Sequence, residues 1–428
     1  MSSILTNSSA MVALQTLKGI NSSLAKTQDE ISTGKTVASA KDNAAVWSIS
    51  KVMESDVAGF KAISSSLDLG ESTVAVASKA SEKITDLLTQ MKEKIVSAQE
   101  ANVDRDKIQT DIVALRDQIS SVVGAAQFNG LNLLSNKQGG ASVAQIVGNT
   151  GAGAGIMGSG SINVLSSLDR NANGVTSSNI NVGKTDLSTS ARTLGAGTDL
   201  AATAATGAGA IAANATSTIS IVGDTTTVVR GGNKVLAGDG YKIGGLTGIS
   251  ADISYVARDG DTTTDIASAL VDRINNEAKK AGVSFSAELD TSGANPGVKI
   301  TNKTTASITT TTAVSTGGTA GGGLESLNSL DVSTENGAKA ALSAIEGMIQ
   351  TATSAAADFG SSAGRLETQA EFISALTDSL TTGIGSLVDA DMEEASARLQ
   401  ALQVQQQLGV QSLSIANQAP QTIMSLFK

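Results

Sequence analysis

The chain has 428 residues, a length that suggests about two to four domains. Its formal charge is −10, from 30 basic and 40 acidic residues with no basic cluster, which argues against binding to nucleic acid or to an anionic membrane surface. Cysteine and histidine are both absent, which excludes disulfides, thiolate nucleophiles, Cys/His metal sites and imidazole acid–base chemistry. Because aromatic residues are only 2% of the chain, its apolar residues are mostly Ala, Val, Ile and Leu, which suit long helix seams and small β-layers.

The composition divides the chain into three zones. Residues 1–136 and 326–428 carry sustained helical spacing, whereas residues 137–325 are rich in Gly, Thr, Ser and Ala. A β-like middle between two helical ends predicts an α+β fold: a long coiled-coil-like helical bundle formed by the two ends, with a β-rich inserted domain. No apolar run approaches the roughly 18 residues that span a membrane. The pattern of a cleaved signal peptide is not visible in residues 1–18, so we expect none.

The N-terminal zone predicts three helices. The first has an apolar seam with alternating steps of three and four and ends at Gly34. The seam residues are Ala13, Leu17, Ile20, Leu24, Thr27 and Ile31. The second helix begins near Asp42 and extends to residue 98, with Gly59 and Gly70 as weak points. The third follows an N-cap within residues 104–106, keeps heptad spacing from residue 108 to 126, and ends at the turn sequence Phe128-Asn129-Gly130.

The middle zone predicts a compact unit of strands and one helix. A hairpin is expected where residues 217–222 and 225–230 flank Gly223-Asp224. The other predicted elements are a strand at 252–258, a helix at 265–281 that closes at Gly282, and strands at 283–289, 298–301 and 306–314. Nine of the 20 residues from 301 to 320 are Thr, which suits exposed strands or, alternatively, a surface for O-glycosylation.

The C-terminal zone predicts three further helices. The first spans residues 338–358, and the second spans 366–380 with a stripe of Leu366, Phe372, Ile373 and Leu376. The last should end or kink at Pro420. Its seam comprises Met392, Ala395, Leu399, Leu402, Leu413 and Ala416.

Two interpretations of these stripes are open. One is an ordinary intramolecular bundle. The other is a pair of terminal seams that close fully only between subunits, with the first and last 40 residues disordered in the free chain and helical in an assembly.

Three sequence patterns are compatible with a phosphate-binding, cation-binding or catalytic site, but each gives only weak support for such a site. Residues 153–158 have the glycine spacing of a phosphate-binding loop, but the following residues are polar and glycine-rich rather than helical. The carboxylates from Asp389 to Glu394 are better explained as capping and dipole charges of the last helix than as a cation site. A serine nucleophile with a lysine base has no supporting spacing. We therefore predict no catalytic, cofactor-binding or metal site.

Several blocks of residues, in the correct order, resemble bacterial flagellin. They cover about 136 residues at one end and about 100 at the other. They are Ile4-Leu5-Thr6-Asn7, Ile31-Ser32-Thr33-Gly34, Ser39-Ala40-Lys41-Asp42-Asn43-Ala44-Ala45, Phe128-Asn129-Gly130, Asp389-Ala390-Asp391-Met392 and Ala416-Asn417-Gln418-Ala419-Pro420. In addition, Trp47 and the Gln-rich residues 402–411 are similar to flagellins of alphaproteobacteria.

The resemblance implies a structural, non-enzymatic protein without cofactors, which polymerises into the extracellular flagellar filament for swimming. Residues 1–43 with 388–428 would line the filament core, residues 44–136 with 326–387 would form the outer tube, and residues 137–325 would be the surface-exposed insert. It also implies type III export without a cleaved signal. The implied partners are copies of the chain itself, the flagellar cap, hook-associated proteins, a C-terminal export chaperone and other flagellins, with no nucleic acid and no membrane insertion.

Two immune-recognition segments of the family can be aligned with this chain. The animal receptor reads a Gln-Arg…Leu pattern, and the matching positions here are Thr89, Gln90 and Lys94. Because the arginine and leucine are replaced, we expect weak activation of that receptor. The plant receptor reads residues 29–50, where Asn43 and Val46 depart from the usual Asp and Gly, so reduced recognition is expected there too.

Three other functions were weighed against a filament subunit. A hook–filament junction protein shares the terminal motifs, but the residues after Ala416 resemble filament flagellin. A flagellin carrying a zinc protease is excluded because the chain has no histidine. A filament-displayed adhesin remains open, although nothing in the insert indicates a ligand.

Overall fold

The computed structural model describes residues 7–135, 161–171, 174–197, 205–223, 235–249, 252–258 and 260–426. The helices are α1 (Ser8–Thr33), α2 (Ala44–Ser97), α3 (Arg105–Ala125), α4 (Thr263–Ala281), α5 (Glu335–Val388) and α6 (Met392–Leu426). The chain forms two compact units. The first comprises Met1–Ser65, Ser167–Ser177 and Ala370–Lys428, and the second comprises Ser66–Ser166 and Ser178–Gln369. Helical ends and a strand-rich middle confirm the predicted α+β class.

The N-terminal helices begin and end where the sequence places their caps. The Oδ1 atom of Asn7 accepts from the amide of Ala10 at the start of α1, and Gly34 ends that helix with a φ of 71°. Asp104 caps α3 in the same way. After α3, strands β1 (Gln127–Phe128) and β2 (Leu131–Asn132) form a hairpin. Its two turn residues, Asn129 and Gly130, have φ values of 50° and 81°, so the predicted turn is confirmed.

The glycines of α2 do not interrupt the helix. Instead they make room for strand β3 (Ser161–Asn171), which pairs with β4 (Gly174–Gly183). A Cβ atom at Gly70 would lie 2.7 Å from Val164, and one at Gly59 would lie 3.0 Å from Leu168. A helix continues through isolated glycines when packing outweighs a propensity cost of about 1 kcal/mol each.

One prediction for the C-terminal zone is wrong. Residues 338–358 and 366–380 belong to one helix, α5. It continues through Gly360 and Gly364 despite a propensity cost of about 1 kcal/mol each, because Phe359 and Leu366 on either side of these glycines are buried. Of the two effects expected at Pro420, an end or a kink, the helix does not end there, since α6 continues to Leu426. A proline removes the amide that would bond the carbonyl four residues earlier, which here is the carbonyl of Ala416. The side-chain amide of Asn7 donates to that carbonyl at 2.8 Å and so supplies the missing hydrogen bond.

The insert contains the predicted helix, α4, and several small sheets. Thr262 and Asp265 form a capping box at the start of α4, and Gly282 ends it with a φ of 68°. The strands are β5 (Ala205–Thr206), β6 (Ala210–Ile211), β7 (Thr216–Ile221), β8 (Gly240–Gly244), β9 (Ile253–Val256), β10 (Phe285–Asp290), β11 (Gly297–Asn302), β12 (Ile308–Thr309) and β13 (Thr311–Ser315).

Strands β5 to β13 of the insert form three antiparallel sheets, in the orders β10-β11-β7-β5, β13-β8-β9 and β12-β6, separate from the β3-β4 pair. Helix α4 packs against the first sheet and buries Ile266, Leu270 and Ile274 completely. One arm of the predicted hairpin is β7, which pairs with β11 and β5. The other arm, residues 225–230, lies outside the described residues, as does the glycine pattern at 153–158. The strand predicted at 306–314 is two strands, β12 and β13.

The buried carboxylate of Glu325 links helix α4, which carries Arg273, to the chain segment that carries Arg192. The Oε1 atom of Glu325 accepts from the amide and the Nη1 atom of Arg192, both at 2.8 Å, and its Oε2 atom accepts from Arg273 at 2.9 Å. The Arg273 guanidinium also lies 5.4 Å from the centre of the Tyr255 ring. Burial raises the pKa of Glu325, but the Arg192 amide and the two guanidinium charges outweigh it and leave that pKa below its ordinary value.

Candidate assembly surface

A half-buried seam follows α1 along its whole length. Every third or fourth residue is half-buried or buried, while the residues between them are exposed apart from buried Glu30. The seam residues of α1 are Ala10, Ala13, Leu17, Ile20, Leu24, Thr27 and Ile31. All six residues that the spacing predicts for this seam are among them. The period of alternating three and four residues is that of a helix packed on one partner helix.

Helix α6 carries a matching seam of Ala395, Leu399, Leu402, Gln406, Gly409, Leu413 and Ala416. Met392, which the apolar spacing includes, is 44% exposed and lies outside this series, because it is the first residue of the helix. Gln406 and Gly409 were missed because neither is a large apolar residue. Alternating steps of four and three residues from Leu402 lead to both positions, so extending the heptad pattern would have identified them.

The two seams pack against each other in antiparallel orientation. Besides the bond from Asn7 to Ala416, the Nε2 atom of Gln406 donates to Asn21 at 2.7 Å. A Cβ atom on Gly409 would lie 2.9 Å from the Cδ1 atom of Leu17, so glycine allows a close approach of the helices here. These contacts define a terminal hairpin formed by α1 and α6.

Backbone hydrogen bonds join the two chain segments at the end of the terminal hairpin nearest α2. Lys35 and Asp389 form a β-bridge, and the amide of Ala390 donates to Gly34 at 2.9 Å. The amide of Thr36 donates to Val388 at 2.7 Å. Asp389, one of the family-motif residues, is therefore part of a backbone connection between the two ends of the chain.

The remaining motif residues at this end are helix caps and turns. The Asp42 carboxylate accepts from the amide and hydroxyl of Ser39, both at 2.9 Å, and these bonds hold the pKa of Asp42 below its ordinary value. Asn43 caps α2 by accepting from two following amides, and Asp391 caps α6 in the same way. Ala40, Lys41, Ala44 and Ala45 are exposed.

Seven large apolar side chains on the terminal hairpin are left exposed by the described residues. These side chains are 54–69% exposed. They are Met11, Val12 and Leu14 on α1 and Val404, Leu408, Val410 and Ile415 on α6. So many exposed large apolar side chains on one pair of helices make the terminal hairpin a candidate site of protein association.

The residues predicted for receptor recognition lie on α2 in the second unit, and all three are exposed. Thr89 donates its hydroxyl to Thr85, and Lys94 forms an ion pair with Asp111 at 2.7 Å. Gln90 and Lys94 border a shallow cavity of about 350 Å³ between α2 and α3. The expected weak recognition stays a prediction.

Two further searches cover only the described residues. No group of three or more carboxylates there could hold a metal ion, including the acidic run before α6. Within those same ranges, no helix combines the length and the apolar character needed to cross a bilayer.

Known proteins match this chain over its whole length. The family profile "Bacterial flagellin N-terminal helical region" matches residues 4–139, and "Bacterial flagellin C-terminal helical region" matches residues 342–427. Flagellin A of Rhizobium meliloti is 34% identical over 436 residues and covers 100% of both chains. The chain belongs to the flagellin family. Flagellin FljK of Caulobacter vibrioides is 27% identical over 431 residues, covering 100% of this flagellin and 99% of that one.

The full-length likeness to these flagellins supports the alphaproteobacterial type that Trp47 and the Gln-rich α6 predicted. This flagellin is a structural subunit of the bacterial flagellar filament, and its family is not one of enzymes. A solved structure of FliC from Burkholderia pseudomallei matches 69% of the chain and 99% of its own at 13% identity, with a TM-score of 0.30. A TM-score this low gives no support for a shared detailed fold.

Proposed function

We propose that the terminal hairpin is the surface through which this flagellin polymerises with copies of itself. The observation that supports this is the division of its apolar residues into two sets. One set closes the seam between α1 and α6, and the other, from Met11 to Ile415, is 54–69% exposed. Within the part of the chain that the structure describes, no segment covers the second set, so we assign its cover to neighbouring molecules.

Burial of the exposed set contributes a substantial favourable free energy to assembly. Complete burial of one Leu, Ile, Val or Met side chain is worth about 1.5–3 kcal/mol. If neighbours cover the remaining half of the seven exposed side chains, the gain is on the order of 5–10 kcal/mol per subunit. This gain must exceed the entropy lost when each subunit is fixed in the filament.

In the proposed filament, the three zones of the chain lie at different distances from the filament axis. Residues 1–43 with 388–428 line the filament core, residues 44–136 with 326–387 form the outer tube, and residues 137–325 face the surrounding medium. The chain reaches the growing tip through the flagellar type III export channel, aided by a chaperone that binds its C-terminus. There it meets the cap, hook-associated proteins and other flagellins.

The test is polymerisation of purified protein, followed by negative-stain microscopy after addition of ammonium sulfate or filament seeds. The full chain is compared with a version lacking residues 1–40 and 390–428. We expect long filaments from the full chain alone. Monomers or short assemblies from both proteins contradict the proposal and favour a junction protein, or a subunit that needs a partner flagellin.

A further inference from the structure

Strand β10 is one of the two outer strands of the insert's largest described sheet, the other being the short β5. It pairs with β11 through six consecutive residues, and β11 in turn pairs with β7. The outer edge of such a strand presents alternate backbone amides and carbonyls that have no ladder partner. Such an edge is a template for pairing with a strand of another chain.

The hydrogen bonds show which residues of β10 point outward. The amide of Lys303 donates to Ser284, so Ser284 faces β11. In an antiparallel pair, every second residue then faces the partner. Ser286 and Glu288 therefore bond β11, and the backbone groups of Phe285, Ala287 and Leu289 point away from it.

A side chain of α4 occupies the centre of this outward edge. The Nδ2 atom of Asn275 donates to the carbonyl of Ala287 at 2.8 Å, and the amide of Ala287 donates to the Oδ1 atom of Asn275 at 2.8 Å. A carboxamide has the same donor and acceptor arrangement as a backbone peptide. Asn275 thus takes the place of one residue of an absent neighbouring strand.

We propose that Asn275 keeps β10 from pairing with β10 of a second copy of this chain. The edge is self-complementary: a two-fold antiparallel register centred on Ala287 places Phe285 opposite Leu289 and Ser286 opposite Glu288. No carboxylate then faces another, and Leu289 is already 39% exposed at the edge. The need for this protection rests on the proposed function, because a filament displays inserts at very high local concentration.

The test compares Asn275→Ala with Asn276→Ala in the full chain. Asn276 is half-buried on the same helix, and within the described ranges its side chain makes no hydrogen bond, so it is a matched control. Sedimentation measures self-association of the unpolymerised chain, and microscopy measures lateral bundling of filaments. We expect Asn275→Ala to associate at least tenfold more strongly than Asn276→Ala, and its filaments to bundle.

Two further variants separate an opened edge from a damaged fold. Asn275→Asp keeps the acceptor for the Ala287 amide but loses the donor, so we expect intermediate association. Leu289→Pro removes an outward amide, which edge strands tolerate, and should return the Asn275→Ala variant to the control level.

Folded Asn275→Ala protein that stays as monomeric as the control overturns the proposal, as does association that Leu289→Pro leaves unchanged. If Asn275→Ala does not fold, the self-association of Asn275→Asp is compared with that of Asn276→Ala instead. Asn275→Asp protein that stays as monomeric as this control then overturns the proposal. A wild-type chain that forms no filaments contradicts the proposed function, but the sedimentation measurements still decide the role of Asn275.

Discussion

The terminal hairpin and the insert bury their apolar residues to very different extents. In the insert, Ile266, Leu270 and Ile274 of α4 are fully buried against the sheet. On the terminal hairpin, the seam residues Leu17 and Leu402 are only half-buried, and neighbouring apolar residues are mostly exposed. The same few side-chain types, Leu, Ile, Val and Ala, are used in both regions.

This difference shows where each region obtains its stability. A helix and a sheet enclose a core within one chain, so the insert needs no neighbour. Two single helices packed along one narrow seam leave most of their surface outside it, and isolated pairs of this kind gain little from propensity alone. The terminal hairpin is therefore the part of the chain whose folding we expect to depend on assembly.

The largest expected effect comes from a charge placed in the seam. Leu402→Asp should reduce the amount of polymer at least 100-fold, because the carboxylate would be buried between α1 and α6 without a partner. Thermal unfolding of the insert should not change. Sedimentation and circular dichroism measure the two effects. Gln403→Asp, at the next and exposed position, is the control, and equal loss of polymer in both variants would contradict the assignment.

The two regions also differ in how well the sequence predicts them. Heptad spacing locates the α1 seam, the N-cap at residues 104–106 locates the start of α3, and the turn sequence at Asn129 locates the β-hairpin. Each of these depends on contacts or dihedral angles close in the sequence. The family motifs then give the function. Helix α4 is equally predictable, because its cap, its apolar stripe and its terminal glycine all lie within the helix or next to it.

The failures have a common cause in contacts between residues distant in the sequence. The continuation of α6 past Pro420 depends on Asn7, which is about 400 residues away in the chain. Gly59 and Gly70 suggested weak points because the strand that packs on them is not visible in the helix pattern. Phe372, assigned to an apolar stripe, is 58% exposed, and periodicity cannot show which face a neighbour covers.

The second prediction concerns the core of the insert. Leu270→Ala removes a fully buried side chain and should lower the free energy of unfolding of the insert by about 2–5 kcal/mol. Polymerisation should be retained, because the terminal hairpin is unchanged. Calorimetry of the unpolymerised chain measures the first effect and microscopy the second. Loss of filaments at a temperature where the variant insert is folded would show that the two regions are not independent.

The third prediction concerns Glu325, whose carboxylate is shared by Arg192 and Arg273. Glu325→Gln should lower the free energy of unfolding by about 1–3 kcal/mol at neutral pH, because two half-buried guanidinium groups lose their counter-charge. The folded-state pKa of Glu325 lies below its ordinary value of 4.5, so the carboxylate stabilises the fold above that pH. This contribution is lost as the pH falls through the folded-state pKa.

Urea unfolding at several pH values measures this dependence. The difference between wild type and Glu325→Gln should therefore be largest near pH 7 and should shrink below about pH 4.5. Glu346→Gln, which removes an exposed ion pair with Lys92, is the control and should cost less than about 1 kcal/mol. A difference for Glu325→Gln that does not depend on pH would contradict the role of its charge.

The smallest expected effect separates the two tasks of Asn7, whose oxygen caps α1 and whose nitrogen bonds the Ala416 carbonyl. Asn7→Asp retains the cap, since Asp is an equally good N-cap residue, but it loses the donor and places a carboxylate near a carbonyl. The Ala416 carbonyl then has neither the Pro420 amide nor Asn7 as a partner, at a cost of about 1 kcal/mol. We expect the ammonium sulfate concentration needed for polymerisation to rise by less than twofold. Adding Pro420→Ala restores a backbone donor within α6, so the double variant should recover filament stability. A double variant that remains as weak as Asn7→Asp alone would show that the Asn7 amide does not replace the hydrogen bond that proline removes.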